Sequence, residues 1–453
     1  MSFKKFSYLR LEDVIEECRQ LGINLPFSEN IETLKRPVKI SQFTAPNSIA
    51  IHPMEGSDGE KDGSPGELTI RRYKRFAESG AGLIWFEAVA VVPEGRAIPR
   101  QLWIHPENVS AFSEIMNMIR EVSRASSVDK SRGQTIQDER SVPICLMQLT
   151  HSGRFSKPEG KPAPVIAYHN PYLNTRLDIE PDYPVITDHE LEQLEEKFEN
   201  AAILAKEAGF DGVDVKCCHR YLNCELLSAY NREGRYGGSF DGRTRFLLNV
   251  IDRIRSRLGS DFIVATRMNI YDGIPYPYGW GVDQGDYLKM DLSEPLKLVG
   301  LLKERNVKII NLTMGTPYYN PHVNRPYDVG GYIPEEHPLT GVARLITGIG
   351  DIQQAYPNIS VVGTGYSWLR HFAPFLAAGC LEKGMATMVG FGREAFAYPD
   401  FAKDILIDGA MDEKKCCISC SKCSDILRKG GMAGCAVRDA GVYAPIYKQY
   451  CMN

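Results

Sequence analysis

The stretch "TDHELEQLEEKFENAAILAKEAGFDGVDV", residues 187–215, holds one complete helix-turn-strand unit. Thr187 and Glu190, three positions apart, have the pattern of a reciprocal N-terminal cap, and Leu191, Leu194, Phe198, Ala201 and Ala205 recur at helical spacing. Gly209 stops the helix. "DGVDV" follows as a strand apolar enough to be covered on both faces, as parallel strands flanked by helices are.

The same grammar recurs between Ser48 and Asp400. The other candidate strands are "SIAIH", "GLIWF", "PICLMQ", "FIVATR", "VKIINL", "ISVVG" and "MATMV", which makes eight. Eight strands separated mainly by helical segments fit an α/β fold of the (β/α)8 TIM-barrel type, with a doubly wound sheet as the alternative. Two stretches depart from the repeat. Residues 125–141, "ASSVDKSRGQTIQDERS", are polar enough to predict a mobile loop before the third strand, and the Pro-rich residues 157–184 predict a lid over the C-terminal mouth. The expected organisation is an N-terminal extension over 1–46, the barrel over 47–408 and a Cys-rich segment over 409–453.

The 453 residues are 43% apolar and 24% charged, enough to bury a large core. Lysine plus arginine, 53, nearly balance aspartate plus glutamate, 57, so no field of one sign argues for nucleic acid or an anionic membrane. A small-molecule substrate is expected. The charged N-terminus lacks a signal-peptide core, and no apolar run approaches the ~20 residues of a membrane helix, so a cytoplasmic setting is expected. In that reducing compartment, clustered cysteines predict metal ligands or redox groups rather than disulfides.

Five of the twelve cysteines fall in "CCISCSKCSDILRKGGMAGC", residues 416–435. Cys417, Cys420, Cys423 and Cys435 have a spacing that suits an iron-sulfur cluster or a structural zinc, and three cysteines in one short loop with a lone fourth favour the cluster. The last two strands end in glycine-rich turns carrying Gly363, Thr364 and Gly365, then Gly390, Gly392 and Arg393. In a barrel this place suits a phosphate site, although two tight turns would also use the glycines. After the fourth strand, Lys216, His219 and Tyr221 fall within six residues. Lysine and histidine can polarise a carbonyl or hold a carboxylate, and a tyrosine with a pKa near ~10 can deliver a proton; packing of the loop is the alternative.

Together these pieces resemble the old yellow enzyme family, in the branch of the 2,4-dienoyl-CoA reductases and trimethylamine dehydrogenase. The resemblance spans nearly the whole chain. It rests on "HPMEGSDGEKDGSPGELTIRRYKRFAESGAGLIWFEAVAV", "QLTHSGR", the Tyr221 segment ending "RYGGSF", "ATR" and "GFGREAFAYPD". It implies an FMN-bearing barrel followed by a 4Fe-4S cluster on the tail cysteines. Pro53, Met54, Glu87, Ala88, Gln148 and Arg267 then correspond to contacts of the flavin ring and ribityl chain, and Gly365, Gly392 and Arg393 to phosphate contacts. Glu55 falls where relatives place threonine or cysteine near the flavin edge.

The chain also departs from the family pattern, which has histidine at Lys216, histidine or asparagine at His219, and glycine at Arg220. The first three cysteines are spaced as in trimethylamine dehydrogenase, and the gap to the fourth as in the reductases. Most relatives with a cluster continue into a nucleotide-binding half, whereas this chain stops at Asn453. The resemblance implies electrons from NAD(P)H or from an external carrier protein. The expected activity is reduction of an activated C=C bond, with Tyr221 as proton donor and Lys216 and His219 holding the oxyanion. His322 is a further candidate donor, Tyr318 and Tyr319 line the pocket, and a homo-oligomer is expected. An amine dehydrogenase or demethylase is the runner-up; an electron-transfer subunit without its own substrate is the third reading.

Overall fold

A computed structural model describes residues 5–129, 133–136, 138, 141–328 and 330–452. All eight expected strands form: β1 Ile49–Ile51, β2 Leu83–Ala90, β3 Ile144–Thr150, β4 Gly212–Val215, β5 Ile263–Tyr271, β6 Ile309–Met314, β7 Ser360–Gly363 and β8 Met388–Phe391. They pair in parallel and in sequence order, and β8 closes on β1 with Val389 opposite Ile49 and Phe391 opposite Ile51. The doubly wound alternative is thereby excluded, because its sheet would have two free edges. Strands β2 to β6 are buried along their whole length, as strands walled by a packed interior and an outer ring of helices must be.

The repeat unit that predicts this fold is built as its residues dictate. The helix Asp188–Glu207 starts on Thr187, whose hydroxyl accepts from the Glu190 N–H at 3.2 Å while the Glu190 carboxylate accepts from the Thr187 N–H at 2.7 Å. Gly209, at φ 91°, turns the chain into β4.

The extension before β1 carries the helix Leu11–Gln20 and a hairpin of Val38–Ile40 with Phe43–Ala45. The hairpin packs Val38 and Ile40 against Leu83, Trp85, Leu146 and Ile309, plugging one end of the barrel. The other end, where the strands point their C-termini, stays open to form a site.

The polar loop before β3 carries a short antiparallel ladder, Val128 opposite Thr135; Lys130, Ser131, Arg132, Gln137, Glu139 and Arg140 lie outside the described residues. The Pro-rich segment holds a helix, Pro171–Leu177, capped by Asn170, which accepts from the Tyr172 N–H at 3.1 Å. Arg154, from the "QLTHSGR" stretch, fastens this segment: it donates to Glu225 at 2.9 Å, to Asn174 at 2.7 Å and to the Tyr168 carbonyl at 3.0 Å.

The last barrel helix, Phe401–Asp408, ends on Gly409 at φ 66°. The Cys-rich segment beyond it carries helices Lys422–Arg428 and Ala440–Cys451 and folds back to the start of the barrel. There Arg71 meets Asp439 through two bonds of 2.7 and 3.0 Å, Arg75 joins at 2.6 Å, and the Ala433 N–H donates to the Gly56 carbonyl at 2.7 Å. Among the described residues, no helix is long and apolar enough to cross a membrane.

Candidate active site

At the open end of the barrel lies a cavity of about 190 Å³. Its floor and walls come from the ends of β3, β4, β5, β7 and β8 and from the loop after β1. Pro53, Met54 and Glu55 enter from that loop; Gln148, Lys216, His219, Tyr221 and Arg267 enter from the middle strands. Thr364, Gly365, Gly390, Gly392 and Arg393 enter from the last two.

Four expected site residues are placed elsewhere. Glu87 is consumed by a buried knot: it and Asp58 both pair with Arg72, and its other oxygen accepts from the Gly56 N–H at 2.9 Å. Burial and the neighbouring Asp58 push Glu87 up to about 7 although Arg72 opposes them. It therefore braces the loop that carries Glu55 and does not border the cavity. Ala88 is buried in β2 and does not border the cavity. Gly363 packs against the Tyr366 side chain. His322 faces Tyr332 and Glu336 outside the cavity, because the short helix Pro321–Asn324 turns its ring away and brings Asn324 in instead.

Other residues at the cavity were not singled out from the sequence. His52, at the end of β1, is buried between Asn311, 3.0 Å from Nδ1, and Thr364, 3.0 Å from Nε2. Burial first, and then Arg267, holds it neutral, well below the usual imidazole range. Its ring fills the space above Gly390, where any Cβ would overlap it. Gly365 adopts φ 119°, a conformation open to glycine, so both of these glycines have a physical reason.

The cavity fits the implied FMN on three counts. Asp214, fully buried, accepts from Gln148 Nε2 at 2.6 Å and from Trp85 Nε1 at 2.7 Å, which leaves the Gln148 carbonyl oxygen free for a ring N–H. Arg267 is buried with its Nε unpartnered, and burial lowers its pKa, so its charge awaits an anion. Arg393 has Nη1 buried and unpartnered beside Gly392, which suits a phosphate. One buried nitrogen of each guanidinium, Arg267 Nε and Arg393 Nη1, is left without a partner, which is costly unless a ligand satisfies it.

Facing these groups is the candidate substrate side. The Tyr221 hydroxyl lies 3.0 Å from the Tyr318 hydroxyl and 3.4 Å from both Glu55 oxygens. Burial, then the Glu55 charge, pushes its pKa well up, so it carries its proton at neutral pH. Lys216 donates to Glu55 at 2.8 Å and sits 3.8 Å from the centre of the Tyr221 ring. The lysine is thus not a free cation.

His219 and Arg220 both sit in the left-handed region, at φ 62° and 65°. Arg220 holds that costly conformation through Asp272 at 2.8 Å and the Tyr168 hydroxyl at 2.8 Å. The turn aims His219 into the cavity. Asn324 donates to the Met314 carbonyl at 3.0 Å, which fixes its amide, so its Nδ2 donates also to His219 Nε2 at 3.0 Å. The network therefore assigns the proton of His219 to Nδ1. Burial, then Arg267 and Lys216, lowers its pKa well below the usual value and keeps the ring neutral.

In the Cys-rich segment, the Ser419 N–H points at Cys417 Sγ, 3.4 Å away, and the Arg438 N–H at Cys435 Sγ, 3.3 Å away. Ser419 and Ser421 flank Cys420 at φ 54° and 63°, and both hydroxyls are buried without a partner. Backbone N–H groups aimed at sulfur suit thiolate ligands. No group of three or more His, Cys, Asp or Glu side chains among the described residues is gathered closely enough for one metal ion. Cys416 differs from its neighbours: it is fully buried and its thiol donates to the Asp412 carbonyl at 3.3 Å.

Known proteins resemble this chain in sequence and in shape. The NADH:flavin oxidoreductase / NADH oxidase family matches residues 130–285. An NADH oxidase of Thermoanaerobacter brockii is 27% identical over 391 residues, 84% of this chain and 52% of that protein. An NADPH dehydrogenase of Bacillus subtilis (strain 168) is 26% identical over 374 residues, 81% of this chain and 92% of that protein. A 2-naphthoyl-CoA reductase in complex with 2-naphthoyl-CoA superposes with a TM-score of 0.70 at 17% identity, over 93% of this chain and 58% of that one, a likeness of fold. The chain spans about half the length of the first of these relatives.

Proposed function

We propose that this relative of the NADH:flavin oxidoreductase / NADH oxidase family is an FMN- and 4Fe-4S-dependent ene-reductase acting on an α,β-unsaturated carbonyl compound. The observation that carries the reading is the protonated Tyr221 hydroxyl, exposed to the cavity that Gln148, Arg267 and Arg393 make fit for a flavin. Reduced FMN, when bound, supplies the hydride that an electron-poor alkene accepts at its β-carbon.

The chain's own residues do the rest. The Nδ1–H of His219 donates to the carbonyl oxygen as negative charge develops there, and its depressed pKa keeps it a neutral donor throughout. Tyr221 delivers its proton to the α-carbon. A donor aimed at such an oxyanion is worth roughly 10²- to 10³-fold in rate. Lys216 adds positive potential, but it shares that charge with Glu55, so a neutral ketone, aldehyde or thioester suits the pocket better than a free carboxylate. Arg267 offsets negative charge on the flavin side.

Cys417, Cys420, Cys423 and Cys435 would hold the cluster, passing electrons from an external carrier, and NAD(P)H reaching the same cavity is the other supply. The test is anaerobic purification followed by quantification of FMN, iron, sulfide and zinc, then assay of enones under reductant. About one FMN with about four irons and four sulfides supports the reading; one zinc makes the tail structural, and no flavin overturns the proposal.

One observation favours the runner-up. With Lys216 offset by Glu55, the cavity offers a carboxylate beside the rings of Tyr221 and Tyr318, a setting an alkylammonium group can occupy. An amine dehydrogenase would show flavin bleaching by amines alone, whereas the ene-reductase shows reoxidation of reduced flavin by enones.

A further inference from the structure

Trp85, Gln148 and Arg267 lie on three different strands, yet each gives a hydrogen bond to the same side chain. Asp214 Oδ2 accepts from Gln148 Nε2 at 2.6 Å and from Trp85 Nε1 at 2.7 Å, and Oδ1 accepts from the Arg267 backbone N–H at 2.6 Å. Asp214 stands opposite Gln148 in the pairing of β3 with β4, is fully buried in the barrel interior and does not itself border the cavity. A carboxylate set so deep is costly, and an apolar residue would fill a barrel floor without that cost.

The donors fix its state. An indole nitrogen and a backbone amide can only donate, so neither can take the proton of a carboxylic acid. Three N–H bonds of this length favour the charged form, against the burial that raises the Asp214 pKa. The Arg267 charge also favours it, and the Asp214 and Glu55 charges in turn favour the charged form of Arg267.

Gln148 is the partner that can reverse. Its amide carries an acceptor at one corner and a donor at the other, and rotation about its last bond decides which of them faces the cavity. A charged Asp214 takes the NH2 group and leaves the carbonyl oxygen outward. An uncharged group offering N–H or O–H in its place would take the carbonyl oxygen and turn the NH2 group outward.

We propose that Asp214 is a positioning residue, whose carboxylate sets the Gln148 amide so that the cavity presents an acceptor to the N3–H edge of a flavin. Its charge offsets that of Arg267 in the same step. The assignment rests on the reading of the inner cavity as a flavin site.

The test is flavin exchange in the holoenzyme. Wild-type protein and Asp214→Asn are equilibrated with an equal mixture of FMN and N3-methyl-FMN, and the retained flavins are separated and counted. In the variant, one amide oxygen keeps the Arg267 N–H, the NH2 group faces Gln148, and the Gln148 amide turns over. The Trp85 indole then loses its acceptor. The double change Trp85→Phe/Asp214→Asn removes that orphaned donor, so the measurement survives poor folding of the single variant.

Wild-type protein is expected to prefer FMN by about tenfold or more, since N-methylation removes one hydrogen bond and leaves a buried acceptor unpaired. In both variants the preference is expected to fall to about twofold or less. The flavin midpoint potential, read by dye-linked titration, is expected to shift positive, because Arg267 loses an offsetting charge and favours the anionic reduced ring. A role confined to packing weakens both flavins equally and leaves their ratio as in the wild type, which overturns the proposal. Absence of a preference in the wild type overturns it as well, and an unmoved potential overturns the charge offset. Retention of neither flavin by wild-type protein removes the flavin reading and the assignment together, whereas retention of both with the ratio unmoved by substitution removes the assignment alone.

Discussion

The Lys216 ammonium lies 2.8 Å from Glu55 Oε1, and the pair is nearly dry: the lysine side chain is 3% exposed and the glutamate 15%. A lysine that would otherwise dominate the pocket as a full cation is held as half of an ion pair. On the proposed reading, the hydrogen-bond donors left to face a substrate are then the neutral His219 and Tyr221.

Glu55→Gln strands that ammonium in a poorly solvated place. Breaking a buried pair from one side costs roughly 3–5 kcal/mol, and the partial exposure of Glu55 brings the expected loss to about 2 kcal/mol. Urea denaturation checks this. The double change Glu55→Leu/Lys216→Met is expected to cost less than the sum of the single changes.

Tyr221→Phe retains the ring beneath Lys216 and removes the proton. Flavin reduction is expected to proceed at the wild-type rate, while reoxidation by a cyclic enone slows by about 10²- to 10⁴-fold in stopped-flow traces. Unchanged reoxidation would remove Tyr221 as the proton donor.

His151 supplies the pH test. Burial pushes it down to about 4 from its ordinary 6.5. A histidine depressed in the native state leaves the unfolded chain with more protons below pH 6.5, so its contribution to stability is intact above that pH and is lost as pH falls towards 4. One such group gives a slope of about 1.4 kcal/mol per pH unit. The His151→Gln variant is expected to flatten urea stability between pH 6.5 and 4 by about one proton.

Gly390→Ala places a methyl group in the His52 ring, which Asn311 and Thr364 hold from both sides. The ring must move and the cavity floor with it. FMN affinity is expected to fall about tenfold or more, a loss of at least ~1.4 kcal/mol, measured by flavin fluorescence on dilution. Wild-type retention of FMN would show that the floor tolerates the shift.

The tail cysteines separate by a paired substitution. Cys416 is buried with its thiol on Asp412, whereas Cys420 sits between two left-handed serines. Cys416→Ala is expected to retain the full iron and sulfide content and Cys420→Ala to lose it, read by iron and sulfide assay after anaerobic purification.

The barrel was legible because one repeated unit, seen clearly at residues 187–215, forces a parallel sheet between helices. Lys216 was legible as the residue just past the fourth strand and Arg393 from the glycine-rich turn after the eighth, whereas Gln148 and Arg267, which lie inside β3 and β5, were marked by the resemblance to the old yellow enzyme family. Glu87 and His322 do not border the cavity, for reasons of three-dimensional pairing that the sequence pattern does not carry. Arg72 and Asp58 claim Glu87, and a one-turn helix turns His322 outward. His52, although it closes the strand "SIAIH", and Asn324 were not singled out, since their roles come from a hydrogen bond to Thr364 in one case and to Met314 in the other.

The fastening of Asp439 to Arg71 and Arg75 joins the end of the chain to the helix after the first barrel strand, like a belt drawn back to its own first loop. A cut in the exposed stretch Glu413–Lys415 would therefore leave two pieces that stay together through contacts already made. The tail is thereby a closing strap, held at its far end by two arginines of the barrel.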